Sequence, residues 1–188
     1  MTQHTIVIGV SAVSGGGKTS LVTELAKLLE NAVTVYFDEF DDTIKHPPDI
    51  PIWLSKGGDY NAWQAPELAK QLQHLKEGAT VELTNESARY VIFDAPLGRV
   101  HTETGKYIDH MVFIDTPLDV AMARRLLRDG RDVWNDDHLR RYLDWARGLF
   151  THHIEQVSAS ADVILDGTLP VDTLAQIAAT ELNLRPPV

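Results

Sequence analysis

The apolar residues of this chain fall into short uninterrupted runs that alternate with stretches of helical periodicity. The runs are rich in β-branched or aromatic residues and lack polar alternation, as is typical of parallel strands buried on both faces. They cover residues 6–10, 33–37, 90–93, 111–114 and 163–165. We therefore predict an α/β fold, a parallel five-stranded sheet flanked by helices, with ligands along the carboxyl edge of the sheet.

Apolar stripes at helical spacing separate the predicted strands. They are marked by Leu21, Leu25 and Leu28, by Leu68, Leu72 and Leu75, by Val120, Ala123 and Leu127, and by Leu139, Leu143, Ala146 and Phe150. Residues 170–182 predict a terminal helix that begins with a proline. The prolines and glycines of 38–61 interrupt any long helix or strand. We interpret this segment as an irregular connection that lies near the substrate. We expect residues 1–188 to form a single domain.

Composition narrows the classes of partner. The chain has 188 residues and a formal charge of −10, which argues against a general nucleic-acid binder, because such proteins usually present a basic surface. It has no cysteine, which excludes disulfides and thiolate metal sites. No apolar run approaches the roughly 20 residues that span a bilayer. We therefore expect a cytoplasmic protein with no membrane partner and no nucleic-acid partner.

The segment 12–19 has the pattern of a phosphate-binding P-loop. It follows the first predicted strand, opens a predicted helix and ends in Gly-Lys-Thr. Free backbone N–H groups at a helix N-terminus attract phosphate oxygens, and the helix dipole adds to that attraction. Lys18 would neutralise phosphate charge during transfer, and Thr19 would ligate Mg²⁺. The candidate ATP-binding residues are Ser14, Gly15, Gly16, Gly17, Lys18, Thr19 and Ser20.

Two carboxylates follow predicted strands at the edge where the P-loop lies. Asp38 comes just after the second strand and is the candidate catalytic base for an acceptor hydroxyl. Asp94 ends the third strand and is the candidate acid that contacts magnesium through water. The alternative interpretations are a solvated acidic loop for Asp38 and a cap of the following turn for Asp94.

Four arginines lie close together in an otherwise acidic chain: Arg124, Arg125, Arg128 and Arg131. On a continuous helix, Arg124, Arg128 and Arg131 share one face. We expect a short arginine-rich lid, with Arg128 and Arg131 as catalytic cations on the transferring phosphoryl group and Arg124 as a nucleotide contact. The alternative is an exposed helix face paired with neighbouring aspartates.

In order and spacing, these motifs resemble those of the uridine kinase and nicotinamide riboside kinase group of P-loop nucleoside kinases. The resemblance rests on the P-loop, on 38–41, on 58–63 before a predicted helix and on the arginine-rich 124–132. Residues 161–168 are similar to the last strand and the adenine-side loop of that family. The match extends in order over most of the chain.

The resemblance implies roles for individual residues. Asp38 would be the base and Asp59 would bind hydroxyl groups of the acceptor. Arg128 and Arg131 would belong to the lid, and Gly167 would lie on the adenine side of bound ATP. A P-loop NTPase fold is implied with them.

Departures from the family pattern bear on the acceptor. Asp41 replaces a tyrosine, and Tyr60-Asn61 replaces His-Pro. The Tyr-Asp-Phe and the following His with which uridine kinases help to hold the pyrimidine are not found, and residues 83–86, which lie outside the part of the chain that the structure describes, stand near their place. Uridine is therefore not specified by the sequence. Trp53, Tyr60 and Trp63 are candidates to stack on a flat ring, with local packing as the alternative.

Three further side chains are assigned from their type and position. Arg99 is a candidate contact for an anionic acceptor, with a surface charge as the alternative. We expect the adjacent His152 and His153 to be exposed helix residues, because neighbouring positions on a helix diverge.

The sequence as a whole predicts an ATP- and Mg²⁺-dependent phosphotransferase. Its acceptor would be a hydroxyl of a nucleoside or similar small metabolite, and the prediction allows a homodimer. Two alternatives remain open. One is a nucleotide-gated regulatory ATPase, and the other is a non-catalytic nucleotide-binding module.

Overall fold

The computed structural model describes residues 5–78, 88–130 and 133–184. Its centre is a five-stranded parallel sheet in the order β2-β3-β1-β4-β5. The strands are β1 (Ile6–Ser11), β2 (Ala32–Tyr36), β3 (Tyr90–Asp94), β4 (His110–Asp115) and β5 (Val163–Asp166). The five predicted strands are confirmed, because each observed end lies within one residue of its predicted position.

Helices connect the strands and cover both faces of the sheet. They are α1 (Lys18–Leu28), α2 (Ile50–Ser55), α3 (Pro66–Lys76), α4 (Thr102–Gly105), α5 (Leu118–Asp129), α6 (Asp136–Arg141), α7 (Arg147–Ser158) and α8 (Val171–Glu181). A π-helical turn, Tyr142–Ala146, joins α6 to α7. Among the described residues, no helix is long and apolar enough to cross a membrane.

Two apolar cores hold the helices against the sheet. On one face, Ile8 and Val10 of β1 pack with residues of α1 and α8. On the other face, Val7 packs with residues of α3 and with Val157 of α7. The three central strands β1, β3 and β4 are therefore buried on both sides, which explains why their sequences are continuously apolar. The edge strands β2 and β5 are partly exposed, contrary to the prediction that every strand is buried on both faces.

The irregular segment 38–61 returns to the second of these cores. It contains α2 and parts of two short 3₁₀ turns, Phe37–Phe40 and Tyr60–Ala62. Ile44, Trp53 and Tyr60 are buried in the core that contains β3 and α3. The segment thus packs beside the carboxyl edge of β2.

The register of the strands brings three loops to one edge of the sheet. Asp94, the last residue of β3, pairs with Val10 of β1 and with Tyr36 of β2. Because these strands are parallel and end level, the residues that follow them emerge side by side. The P-loop, Asp38 and Asp94 therefore meet at the same edge, as the sequence predicted.

Candidate active site

The P-loop turns directly from β1 into α1, and its glycines permit that turn. Gly15 and Gly17 have φ angles of 82° and 101°, which side chains other than glycine rarely adopt. A Cβ on Gly15 would also meet the backbone carbonyl of Ala121. Gly17 caps α1 without a side-chain hydrogen bond from the described residues. The first-turn N–H groups are therefore left open to an anion.

A cleft of about 890 Å³ opens over the P-loop. Its walls bring together most of the residues that the sequence singled out, together with the loop after β5. The lining residues include Ser14, Gly15, Gly16, Gly17, Lys18, Thr19, Ser20, Asp38, Asp94, Pro96, Arg124, Arg128, Gly167 and Thr168. The remaining wall is apolar and consists of Leu169, Pro170, Val171 and Leu174. A cleft with a phosphate cradle at one end and an apolar wall at the other suits a nucleotide.

Lys18 lies between the P-loop backbone and two carboxylates. Its Nζ donates a hydrogen bond to the Ala12 carbonyl oxygen at 3.2 Å. Burial lowers the pKa of Lys18, while the charges of Asp94 and Asp38 oppose that shift. The ammonium group is thus placed where it can meet phosphate charge.

Thr19 and Asp94 form a donor set that fits a magnesium ion. Thr19 Oγ1 lies 3.5 Å from Asp94 Oδ2, and Asp94 Oδ1 is buried without a hydrogen-bond partner among the described residues. Burial raises the pKa of Asp94, and the charge of Lys18 opposes this. No group of three or more His, Cys, Asp or Glu suited to a metal occurs within 5–78, 88–130 and 133–184. Such a sparse set suits Mg²⁺, which keeps several waters and binds substrate phosphates.

Two of the three arginines predicted to share a face do line the cleft. Arg124 Nη2 donates to the Gly167 carbonyl oxygen at 3.0 Å and so ties α5 to the loop after β5. Arg128 Nε donates to Asp129 Oδ1 at 2.7 Å. Arg131 lies outside the described residues. The shared face is therefore observed for Arg124 and Arg128.

Arg125, which lies off the stripe of Arg124 and Arg128, is not among the residues that line the cleft. Its guanidinium lies 4.7 Å from the ring centre of Trp134 and 5.8 Å from that of Phe150. Burial lowers the pKa of Arg125, and the charge of Asp129 opposes that shift. Arg125 therefore joins α5 to Trp134, just before α6, and to Phe150 of α7.

The aromatic residues near Asp59 pack chiefly against one another. Trp53 and Tyr60 are only 8% and 5% exposed, and their rings meet edge to face with centres 5.4 Å apart. Trp63 contacts His46 in the same manner at 4.7 Å. Local packing accounts for these rings, and none of them lines the cleft. Asp59 is exposed and is also not among the residues that line the cleft.

Arg99 does not reach the site, contrary to the expectation of an acceptor contact. Its guanidinium forms an ion pair with Asp162 at 2.7 Å and donates to the Asp109 carbonyl oxygen at 2.6 Å. Asp109 and Asp162 precede β4 and β5, so they lie at the amino edge, opposite the P-loop. Arg99 therefore links the amino ends of β4 and β5. It is not a substrate contact at the carboxyl edge of the sheet.

The expectation that both histidines of α7 are exposed is wrong. His153 is 8% exposed, and His152 is partly buried, with Nε2 donating to the Gly58 carbonyl oxygen at 3.2 Å. A signal was present in the sequence, because Phe150, His153 and Val157 have the i, i+3, i+7 spacing of one helix face. His153 is the polar member of that apolar face.

Comparison with known proteins supports the resemblance seen in the sequence. A uridine kinase of Lactobacillus helveticus (strain DPC 4571) is 24% identical over 96% of this chain and 95% of its own length. Further curated proteins with the same name align over most of the chain at 25–27% identity. No protein-family model matches the chain.

Solved structures share the fold at lower sequence identity. A sugar kinase from Janibacter sp. superimposes with a TM-score of 0.57 at 19% identity over 97% of this chain and 96% of that one. The Deinococcus radiodurans tunicamycin resistance protein has a TM-score of 0.61 at 16% identity over 98% of this chain and 99% of that one. The predicted resemblance is thus confirmed: this chain has the fold of P-loop kinases and is similar over most of its length to curated uridine kinases.

Proposed function

We propose that this protein transfers the γ-phosphoryl group of ATP to a hydroxyl group of a nucleoside or similar small metabolite. The observation that carries the proposal is the shared cleft. It contains a complete phosphate cradle, the exposed carboxylate of Asp38, the Thr19–Asp94 pair and the cations Arg124 and Arg128. Phosphoryl transfer needs this combination of positioning and charge stabilisation.

Each group has a distinct task in the proposed reaction. The open N–H groups of the P-loop and the side chain of Lys18 bind the phosphates. The apolar wall from Leu169 to Leu174 contacts the adenine ring of ATP. Asp38 orients the acceptor hydroxyl and takes its proton. Arg128 stabilises the charge on the transferring group, and Arg131 is proposed to assist it from the arginine-rich lid.

The residues also fit the metal that accompanies ATP. Thr19 and Asp94 would hold Mg²⁺, whose charge lowers the electrostatic barrier to attack on the phosphate. The orphan oxygen of Asp94 supports this assignment, because a buried polar atom without a partner costs free energy unless something satisfies it.

Asp59 remains the proposed ligand for the acceptor's hydroxyl groups. It is exposed, and its Oδ1 accepts a hydrogen bond from the Asn61 backbone N–H at 2.9 Å, which leaves Oδ2 to bind a donor. Tyr60 and Trp63 then shape the side of the acceptor site through packing. A homodimer and a cytoplasmic location remain predictions from the sequence.

The two competing functions differ from a kinase in the fate of the γ-phosphoryl group of ATP. A regulatory ATPase passes the phosphoryl group to water, and a non-catalytic module keeps ATP intact. We propose to measure ADP release from Mg-ATP with and without a panel of nucleosides, sugars and vitamin precursors. Release that requires a panel member supports the kinase. Equal release with and without every acceptor supports the ATPase, and binding of Mg-ATP without release in any mixture rules the ATPase out.

A further inference from the structure

The backbone of residues 58–60, which we call the acceptor segment, is held by two aromatic side chains. His152 Nε2 donates to the Gly58 carbonyl oxygen at 3.2 Å. Trp53 Nε1 donates to the Asp59 carbonyl oxygen at 2.8 Å. Both carbonyl groups are therefore paired, while the carboxylate of Asp59 remains exposed.

A buried chain of hydrogen bonds links this segment to the end of β1, directly before the P-loop. The Tyr60 hydroxyl lies 3.1 Å from Nδ1 of His153, and Nε2 of the same ring lies 3.2 Å from Ser11 Oγ. Ser11 Oγ donates to the Pro96 carbonyl oxygen at 3.5 Å, and Pro96 lines the cleft. Ser11, Tyr60 and His153 are all buried, so water does not compete readily for these bonds.

The donor and acceptor capacity of each group is compatible with one direction for the chain. With the Ser11 hydroxyl hydrogen directed to Pro96, its oxygen accepts from Nε2–H of His153, and Nδ1 accepts from the Tyr60 hydroxyl. The His153 ring also forms a hydrogen bond with the backbone of Ala12 in the P-loop. This arrangement requires a neutral imidazole. Burial, with a further contribution from the charge of Lys18, lowers the pKa of His153 to about 3. His153 therefore has one N–H to donate and one nitrogen lone pair to accept.

We propose that His153 is a positioning residue that couples the ATP-binding loop to the acceptor segment, an inference that rests on the proposed kinase function. His153 contacts Ser11, the last residue of β1 before the P-loop, and Tyr60, the neighbour of Asp59. Ordering of the P-loop by bound nucleotide is passed through these contacts to the acceptor segment. Mg-ATP binding thereby prepares Asp59 to receive the acceptor, and the coupling is reciprocal.

Amide hydrogen exchange with and without Mg-ATP tests this coupling without needing the acceptor. In the natural sequence, we expect Mg-ATP to slow exchange of the acceptor segment by about fivefold or more. Tyr60→Phe removes one hydroxyl and keeps the ring against Trp53. In this variant we expect protection of the P-loop to persist and protection of the acceptor segment to disappear.

Two further variants separate coupling from packing. Tyr107→Phe deletes a hydroxyl that bonds Gln73 at 3.3 Å, outside the chain through His153, and should retain protection at both places. His152→Phe keeps a ring against Tyr60, on which His152 stacks with centres 5.9 Å apart, but deletes the bond to Gly58. It should speed exchange of the acceptor segment without Mg-ATP while leaving the response to Mg-ATP in place.

The outcomes distinguish this inference from the proposed function. A merely structural role for the Tyr60 hydroxyl would speed exchange equally with and without Mg-ATP, which would overturn the coupling. Protection of the P-loop without protection of the acceptor segment in the natural sequence would overturn it as well. If Mg-ATP fails to protect the P-loop of the natural sequence, the proposed function itself fails.

Discussion

The hydroxyl group of Thr19 and the carboxylate of Asp94 meet at the carboxyl edge of the sheet, with Oγ1 3.5 Å from Oδ2. The two residues are far apart in sequence and are joined by the register that aligns the end of β3 with the end of β1. The second oxygen of Asp94 has no partner within the described part of the chain. This geometry makes the pair a specific target for a test of magnesium dependence.

Asp94→Asn should raise the Mg²⁺ concentration for half-maximal activity by roughly 10- to 100-fold, a range typical of lost metal-site contacts. The fold should persist, because burial already disfavours the charged carboxylate and the amide is neutral. Activity titrated against MgCl₂, with thermal melting of the same preparation, measures both effects. Asp115→Asn, at the end of β4 outside the cleft, is the matched control. An unchanged Mg²⁺ dependence would remove Asp94 from the metal site.

Asp38→Asn should lower phosphoryl transfer by roughly 10²- to 10⁴-fold, the usual contribution of a general base. The amide preserves volume, so ATP binding should survive and can be checked by calorimetry. Asp41→Asn changes an exposed neighbour in the same acidic loop and should have little effect. Equal rates for both variants would return Asp38 to the solvated loop and make Asp59 the next candidate base.

Arg128→Ala and Arg125→Ala should separate a catalytic cation from a structural one. Arg128 lines the cleft and its side chain is 63% exposed, so its loss should reduce turnover by about 10³-fold or more at a cost of only about 0 to 1 kcal/mol in stability. Arg125→Ala loses the stacking on Trp134 and should cost about 1 to 2 kcal/mol of stability. Kinetics and melting curves of both variants decide the matter. Small and equal effects on turnover would mean that Arg128 belongs to a solvated face.

The buried His153 should make the protein less stable in mild acid. Its pKa falls from the usual 6.5 to about 3 on folding, so between these values the unfolded chain binds a proton that the folded chain does not. The contribution of His153 to the free energy of unfolding is therefore complete above pH 6.5. It decreases as the pH falls below that value, by up to about 1.4 kcal/mol per pH unit. Urea unfolding of the natural sequence and of His153→Gln measures the two slopes. His74→Gln, at an exposed position on α3, should retain the natural slope, and identical slopes in all three proteins would refute the prediction.

The parts of the site that were predictable from sequence depend on local pattern. The P-loop carries its own glycines and lysine, and Asp38 and Asp94 follow strands whose apolar runs are continuous. A parallel sheet then brings strand ends together without further information. For this reason the strand limits, the cradle and the cleft location were all predictable.

Other features arise from tertiary contacts between distant segments and were predicted incorrectly or left open. The sequence suggested that Arg99 was free to bind an anion, but it forms an ion pair with Asp162, which directly precedes β5. The divergence of adjacent helix positions predicts that His152 and His153 are both exposed, whereas the helical spacing of His153 with Phe150 and Val157 places it on an apolar face. The packing of Tyr60 depends on α7, which is remote in sequence. Residue type alone does not identify such partners.

The fate of the γ-phosphoryl group tests the central claim most directly. The reaction of Mg-ATP with the acceptor panel is run in water enriched in the heavy oxygen isotope, and products are examined by mass spectrometry, with Lys18→Ala as the inactive control. A kinase yields a phosphorylated acceptor whose transferred phosphoryl group contains no heavy oxygen. We predict this result for the natural sequence and its absence in Lys18→Ala. Recovery of all the γ-phosphate as heavy-oxygen-labelled inorganic phosphate, whichever acceptor is present, would contradict the account.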